Sequence, residues 1–160
     1  MVEKYVPLSR HKPKRRLFLA GQAIMDVNDP NSAVNVLVGK GPMAAAMTRW
    51  TLGESVWGNK KRGLFLDSLD PPPDDVWEIR VTAPRPQVRI LGCFADPDTL
   101  VLFCMHSRSY LGKKGSAAWI AAMGTCSTNW ATLFPNDPPF RGKTIHDYVT
   151  ENCDDFPVKF

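Results

Sequence analysis

No apolar stretch in this 160-residue sequence approaches the roughly 20 residues that a membrane-spanning helix needs. The basic opening MVEKYVPLSRHKPKRR has no apolar run of the kind a secretory signal carries, so a cytoplasmic chain without a membrane partner is expected. The four cysteines (Cys93, Cys104, Cys126, Cys153) include no C-x-x-C pair, and the three histidines (His11, His106, His146) are equally scattered. That spacing argues against a zinc site and for free thiols in a reducing compartment, and no cofactor is expected. There is no G-x-S-x-G elbow and no activated-cysteine context, which leaves nucleophilic hydrolase chemistry with little support. Acidic residues do not cluster as two-metal nuclease chemistry requires, so any hydrolytic or transfer step is expected to run without a metal. Internal repeats and long low-complexity tracts are also missing.

What is present is the composition of an ordinary globular chain, with 44% hydrophobic and 22% charged residues. Five Trp and eight Phe supply large apolar surfaces for a core. The net charge is +4, but its distribution says more. Residues 1–16 hold six basic side chains against Glu3 alone, and a second basic knot stands at Lys60-Lys61-Arg62. Acid collects at Asp67 to Asp75 and at Asp147 to Asp155. Such polarity suits a polyanion binder. It equally suits a solvated surface with a disordered tail, and charge alone does not choose.

Along the chain, residues 1–14 read as a basic flexible arm. Arg15 to Val27 is mostly apolar and fits a first strand or a short helix, since periodicity does not decide it. Asn28 to Ser32 is a turn signal, with Asp29 or Ser32 as N-cap. AVNVLV is too short and too β-branched to assign, and Gly39-Lys40-Gly41-Pro42 breaks the chain. Met43 to Ser55 predicts a helix with Met43, Met47 and Trp50 on its buried stripe. Three prolines after Leu69 then leave the chain extended. VWEIRV and QVRILGCF alternate apolar and polar residues, and LVLFCM is continuously apolar. Short breaks at Ala83 to Pro86 and Ala95 to Asp98 predict an antiparallel three-stranded meander, with the apolar third strand central and covered by helix. Ser116 to Met123 and Thr144 to Tyr148 predict short helices. Residues 124–160 are rich in turns.

Alternation in the first two strands puts Arg80 on the face opposite Trp77, Ile79 and Val81, and places Arg89 with Leu91 and Cys93. If the strands pair as a hairpin, Arg80 and Arg89 can share a sheet face, although the register is open. His106, Arg108, Tyr110, Lys113 and Lys114 follow the third strand. Guanidinium groups bind phosphate and offset charge in a transition state. His106 suits proton transfer near neutral pH, and Tyr110 suits base stacking or proton transfer. Each residue also has an ordinary reading: Arg80 and Arg89 as ion-pair partners, His106 as a satisfied strand-end histidine, Lys113-Lys114 as a solvated turn.

The words Trp77-Glu78-Ile79-Arg80, Arg89-Ile90-Leu91 and His106 to Lys113-Lys114 follow one another in a way that resembles the RelE/HigB-like toxins, particularly their phage-related branch. The resemblance covers about 40 residues. It implies a compact α+β domain of the microbial ribonuclease type, helices packed on a small antiparallel sheet. That core would span residues 15–123, with 124–160 as a C-terminal extension packed on the same domain. It further implies a toxin-like, metal-independent endoribonuclease that cleaves mRNA, often on the ribosome, restrained by a cognate antitoxin protein. By matching position, Arg80, Arg89 and His106 are the catalytic candidates, with Tyr110 added as a residue near the family's aromatic position. Lys60, Lys61, Arg62, Arg108, Lys113 and Lys114 are the candidates for holding RNA. The alternative is a non-catalytic module of the same fold that binds nucleic acid or protein through the same sheet, for which salt-dependent binding without turnover is the mark.

Overall fold

The strands that the alternating segments predict assemble in an order that brings distant parts of the chain together. The structure is a computed structural model describing residues 1–7, 9–56, 65–69, 75–83 and 85–158. Among these, six strands form one sheet: β1 (Val2–Lys4), β2 (Arg16–Ala20), β3 (Leu66–Ser68), β4 (Trp77–Val81), β5 (Val88–Asp96) and β6 (Thr99–Ser107). Their order is β1-β2-β6-β5-β4-β3, antiparallel except where β2 runs parallel to β6. Six helices accompany it: α1 (Gln22–Asn28), α2 (Ala33–Val38), α3 (Lys40–Thr51), α4 (Arg108–Leu111), α5 (Ala117–Leu133) and α6 (Ile145–Tyr148). The chain is therefore a single mixed α+β domain on one mostly antiparallel sheet.

The β4-β5-β6 meander matches the alternation. Trp77, Ile79 and Val81 face one layer, where α3 contributes Met43, Met47 and Trp50 and α6 contributes Ile145 and Tyr148. Leu91, Cys93, Val101, Phe103 and Cys104 face the other, under Trp119, Ala122, Met123, Cys126 and Trp130 of α5. With helix on both faces, β6 is buried from Thr99 to Met105, which is why its sequence is continuously apolar. The β5-β6 ladder shifts register at Leu91/Gly92, where the two backbones press together. A Cβ at Gly92 would lie 2.2 Å from the Val101 carbonyl oxygen, so only glycine fits there.

Several expectations change. The segment Arg15 to Val27 is both strand and helix, β2 followed by α1 across Gly21. Val2–Lys4, inside the stretch read as an arm, forms the outer strand of the sheet, and Tyr5 packs against the core. AVNVLV is helical despite its valines because Ser32 caps it, accepting the Asn35 N–H at 3.3 Å. The break expected at GKGP falls on Gly39, at φ 73 between α2 and α3, while Lys40-Gly41-Pro42 form the first turn of α3. The helix expected to stop at Met123 runs on to Leu133 through Gly124, drawn by Cys126 and Trp130, which continue the buried stripe. Helix α5 thus joins the region read as core to the region read as extension.

Candidate functional site

Strand register builds the site. Arg80 pairs with Arg89 across β4 and β5, and Arg89 pairs with His106 across β5 and β6. Three sequence-predicted residues therefore form one row across three strands. Beyond it the chain turns sharply into α4: the Ser107 hydroxyl caps that turn, accepting the Tyr110 N–H at 3.1 Å. The cap folds Tyr110 back over His106, with ring centroids 5.2 Å apart and planes 21° from parallel. Tyr110 is 65% exposed, so the stacked pair presents an aromatic face to solvent. Arg108 stands at the start of α4, its guanidinium 5.9 Å from the Trp119 ring centroid. Lys113 and Lys114 lie exposed in the turn before α5. Lys60, Lys61 and Arg62 lie outside the described residues.

The arginines are not bare cations. Glu78, on the same face of β4, is 1% exposed and bonds Arg80 Nε through Oε1 at 2.6 Å. Its Oε2 stands 3.2 Å from Arg89 Nε. Asp67, brought beside Glu78 by β3, accepts from Arg80 Nη2 at 2.7 Å. Arg89 also donates to the Val88 carbonyl at 3.1 Å and to Gln87 Oε1 at 3.2 Å. Two carboxylates thus face two guanidiniums, and the set is neutral as a unit. Burial pushes the Glu78 carboxyl up, with Arg80 and Arg89 pulling against it. Burial likewise lowers Arg89, which Glu78 opposes. The ion-pair reading of Arg80 and Arg89 therefore holds. On its outer side Arg80 also borders a groove of about 500 Å³ between α3 and β4, with Arg49, Glu54 and Phe65.

His106 has different company. It is half-buried, and the neighbouring Cys104 sulfur pushes its imidazole toward the protonated form, with Asp26 adding to the effect. Cys104 itself lies 3.8 Å from Cys126 of α5. Asp26 reaches β6 from α1 and accepts the Met105 N–H at 3.2 Å. Of the predicted residues, Arg80, Arg89, His106, Arg108 and Tyr110 thus gather at one end of the sheet. Glu78 beside Arg80 fits the ion-pair reading that the sequence offers, whereas sequence reasoning passed over Asp67 and the pairing of Cys104 with Cys126. The spacing of Glu78 to Arg80, two apart on one strand, was a readable signal. Nothing local pointed to Asp67 or to the thiol pair.

Among the described residues, no group of three or more His, Cys, Asp or Glu is arranged to hold a metal. Among them, too, no helix is long and apolar enough to cross a membrane. A cavity of about 550 Å³ lies elsewhere, at the far end of α5, lined by Trp130, Phe134, Pro135 and Pro139 among others. No family model, curated protein or solved structure matches this chain.

Proposed function

We propose that the chain is a metal-independent endoribonuclease of the RelE/HigB type, with its chemistry centred on His106 and Tyr110 rather than on the arginine pair. The observation that carries this reading is the stacked His106–Tyr110 pair at the solvent-facing end of the Arg80–Arg89–His106 row. An imidazole held toward its protonated form suits a general acid that returns a proton to the leaving 5′ oxygen as RNA is cut. The exposed face of Tyr110 suits an unstacked base. Arg108, Lys113 and Lys114 supply the cationic approach for phosphates. Arg80 and Arg89, tied to Asp67 and Glu78, fix the sheet end on which His106 stands. In this reading the substrate is mRNA, presented free or on the ribosome, and an antitoxin protein covers the site.

The test is purified chain incubated with mRNA, with and without ribosomes, in the presence of a chelator. Chelator-resistant cleavage that falls about 10²- to 10⁴-fold in His106→Ala is expected. Intact mRNA under both conditions rejects catalysis.

A second reading, a non-catalytic module that binds nucleic acid or protein through the same face, is favoured by one observation. The guanidiniums best placed to stabilise a transition state are already neutralised by Glu78 and Asp67. Salt-dependent RNA binding without turnover marks this case.

A further inference from the structure

Cys104 and Cys126 come from different elements, the central strand β6 and the long helix α5, and are 22 residues apart in sequence. Folding brings their sulfurs to 3.8 Å. That is about 2 Å more than a disulfide bond length, a gap that side-chain rotation and a small shift of α5 can close. From the interior, the contacts run Cys104 to His106 to the exposed ring of Tyr110. The Cys104 sulfur is only 1% exposed, so a small oxidant reaches it through local opening at this end of the sheet, where the exposed Tyr110 lies over His106. The other two thiols are placed differently. Cys93 is buried and pushed upward by that burial, and burial likewise pushes Cys153 up to about 11, against the pull of Arg15. Cys104 alone is drawn the other way, to about 6, first by the hydrogen bond with Cys126 and then by His106. Cys126, wholly buried, keeps the proton.

We infer that Cys104 and Cys126 form a peroxide-reactive dithiol that closes to a disulfide between β6 and α5. The steps balance with hydrogen peroxide as oxidant. The Cys104 thiolate attacks one peroxide oxygen, an S–O bond forms, the O–O bond breaks, and the departing hydroxide is protonated to water. The Cys126 sulfur then attacks the sulfenic sulfur, S–S forms and S–O breaks. The oxygen leaves as a second water, carrying the Cys126 proton. Two thiols are oxidised by two electrons and one peroxide is reduced to two waters.

Closure also removes the sulfur that holds His106 toward its protonated form. The groups then left around the imidazole are Asp26 from α1, Tyr110 from α4 and Arg89 across the ladder. The His106 titration therefore moves down when the disulfide forms. Any effect on RNA cleavage rests on the function proposed above; the disulfide and the titration shift do not.

The experiment uses the full chain with its native thiols. Hydrogen peroxide is added in small molar excess, the protein is denatured and alkylated, and tryptic peptides are sequenced by tandem mass spectrometry, because one peptide, residues 90–108, carries both Cys93 and Cys104. The expected result is loss of two alkylatable thiols and a crosslinked species joining the peptides that contain Cys104 and Cys126, reversed by a dithiol reductant. Cys126→Ser is expected to stop at Cys104 sulfenic acid, and Cys104→Ser to keep its remaining three thiols. Four alkylated cysteines, or a crosslink through Cys93 or Cys153, overturns the assignment. NMR titration of the reduced and oxidised protein reads the second part: a lower His106 midpoint supports the coupling, and an unchanged one refutes it. Both readouts stand whether or not the chain cuts RNA.

Discussion

Arg80 and Arg89 face each other directly across β4 and β5, and both guanidiniums reach the same buried carboxylate, Glu78. Two like charges on opposed positions repel. Here that repulsion is converted into a bridge because Glu78 lies one residue pair away on the same sheet face, and Asp67 closes the set from β3. Removing the shared carboxylate leaves two cations on a largely dehydrated surface. Glu78→Ala is therefore expected to lose about 3–5 kcal/mol in chemical denaturation. The exposed Arg16–Asp96 pair, at 3.5 Å with both side chains more than half exposed, serves as the control. Asp96→Ala should change stability by less than about 1 kcal/mol, and equal losses from the two variants would refute the network.

The stack on His106 gives a prediction on activity and pH. Because Cys104 pushes the folded histidine's pKa up, its contribution to stability is complete below the ordinary histidine value near 6.5. It is lost as pH rises through the folded-state value. Cys104, drawn down to about 6, contributes with the opposite sign, so the histidine's share is read as a difference: wild-type stability should fall relative to His106→Asn as pH rises through the folded His106 value. In the proposed chemistry, His106→Ala lowers mRNA cleavage about 10²- to 10⁴-fold, while Tyr110→Phe, which keeps the stacking ring, retains more activity than Tyr110→Ala.

How far the sequence discloses this arrangement depends on the range of the interaction. The β4-β5-β6 meander was legible because each strand shows its alternation locally, and short hairpin connections leave few registers. Arg80, Arg89 and His106 could be placed on one end of the sheet by that logic. The parallel pairing of β2 with β6 was not legible, since Leu17 and Leu100 are 83 residues apart and nothing local joins them. Asp67 escaped notice for the same reason, as its partner Arg80 is 13 residues away beyond a run of prolines. The far half of α5 was hidden by Gly124 and by hydroxyl residues that favour turns. Its helical state follows from burying Cys126 and Trp130, a tertiary gain that outweighs propensity.

Asp26 makes a separate case for a buried carboxyl group. It is 4% exposed, receives the Met105 N–H at the edge of β6 that β2 leaves unpaired, and takes a bond from Gln22 at 3.2 Å. Burial pushes its pKa up, so its contribution is complete below the ordinary carboxyl range and is lost as pH rises through the folded-state value. Asp26→Asn keeps an acceptor for Met105 without a charge to desolvate. It should match or exceed wild-type stability at neutral pH, whereas Asp26→Ala orphans the amide and costs about 1–3 kcal/mol. Thermal melts of the two variants at neutral pH decide the matter, and a less stable Asn variant would show that the ionised form is preferred.

Gly92 tests the joint on which the Arg80–Arg89–His106 row depends. It sits where the β5-β6 ladder shifts, next to Leu91, which pairs with Cys104 in the register that continues to Arg89 and His106. An added Cβ would stand 2.2 Å from the Val101 carbonyl oxygen and 3.0 Å from the Leu102 Cα, both backbone atoms that cannot swing aside. Relief therefore requires β5 and β6 to move apart or slip. Gly92→Ala is expected to cost about 3 kcal/mol or more in thermal or chemical denaturation. Because the register of Arg89 against His106 is set just beyond this point, the same substitution should broaden or shift the His106 ring resonances in NMR spectra of the folded fraction. Gly124→Ala, in a helix where no atom stands within 4 Å of the new Cβ, is the matched control and should stabilise by up to about 1 kcal/mol. If Gly92→Ala behaves like Gly124→Ala, the close approach of β5 and β6 is not a constraint, and the alignment of Arg80, Arg89 and His106 rests on side-chain packing alone.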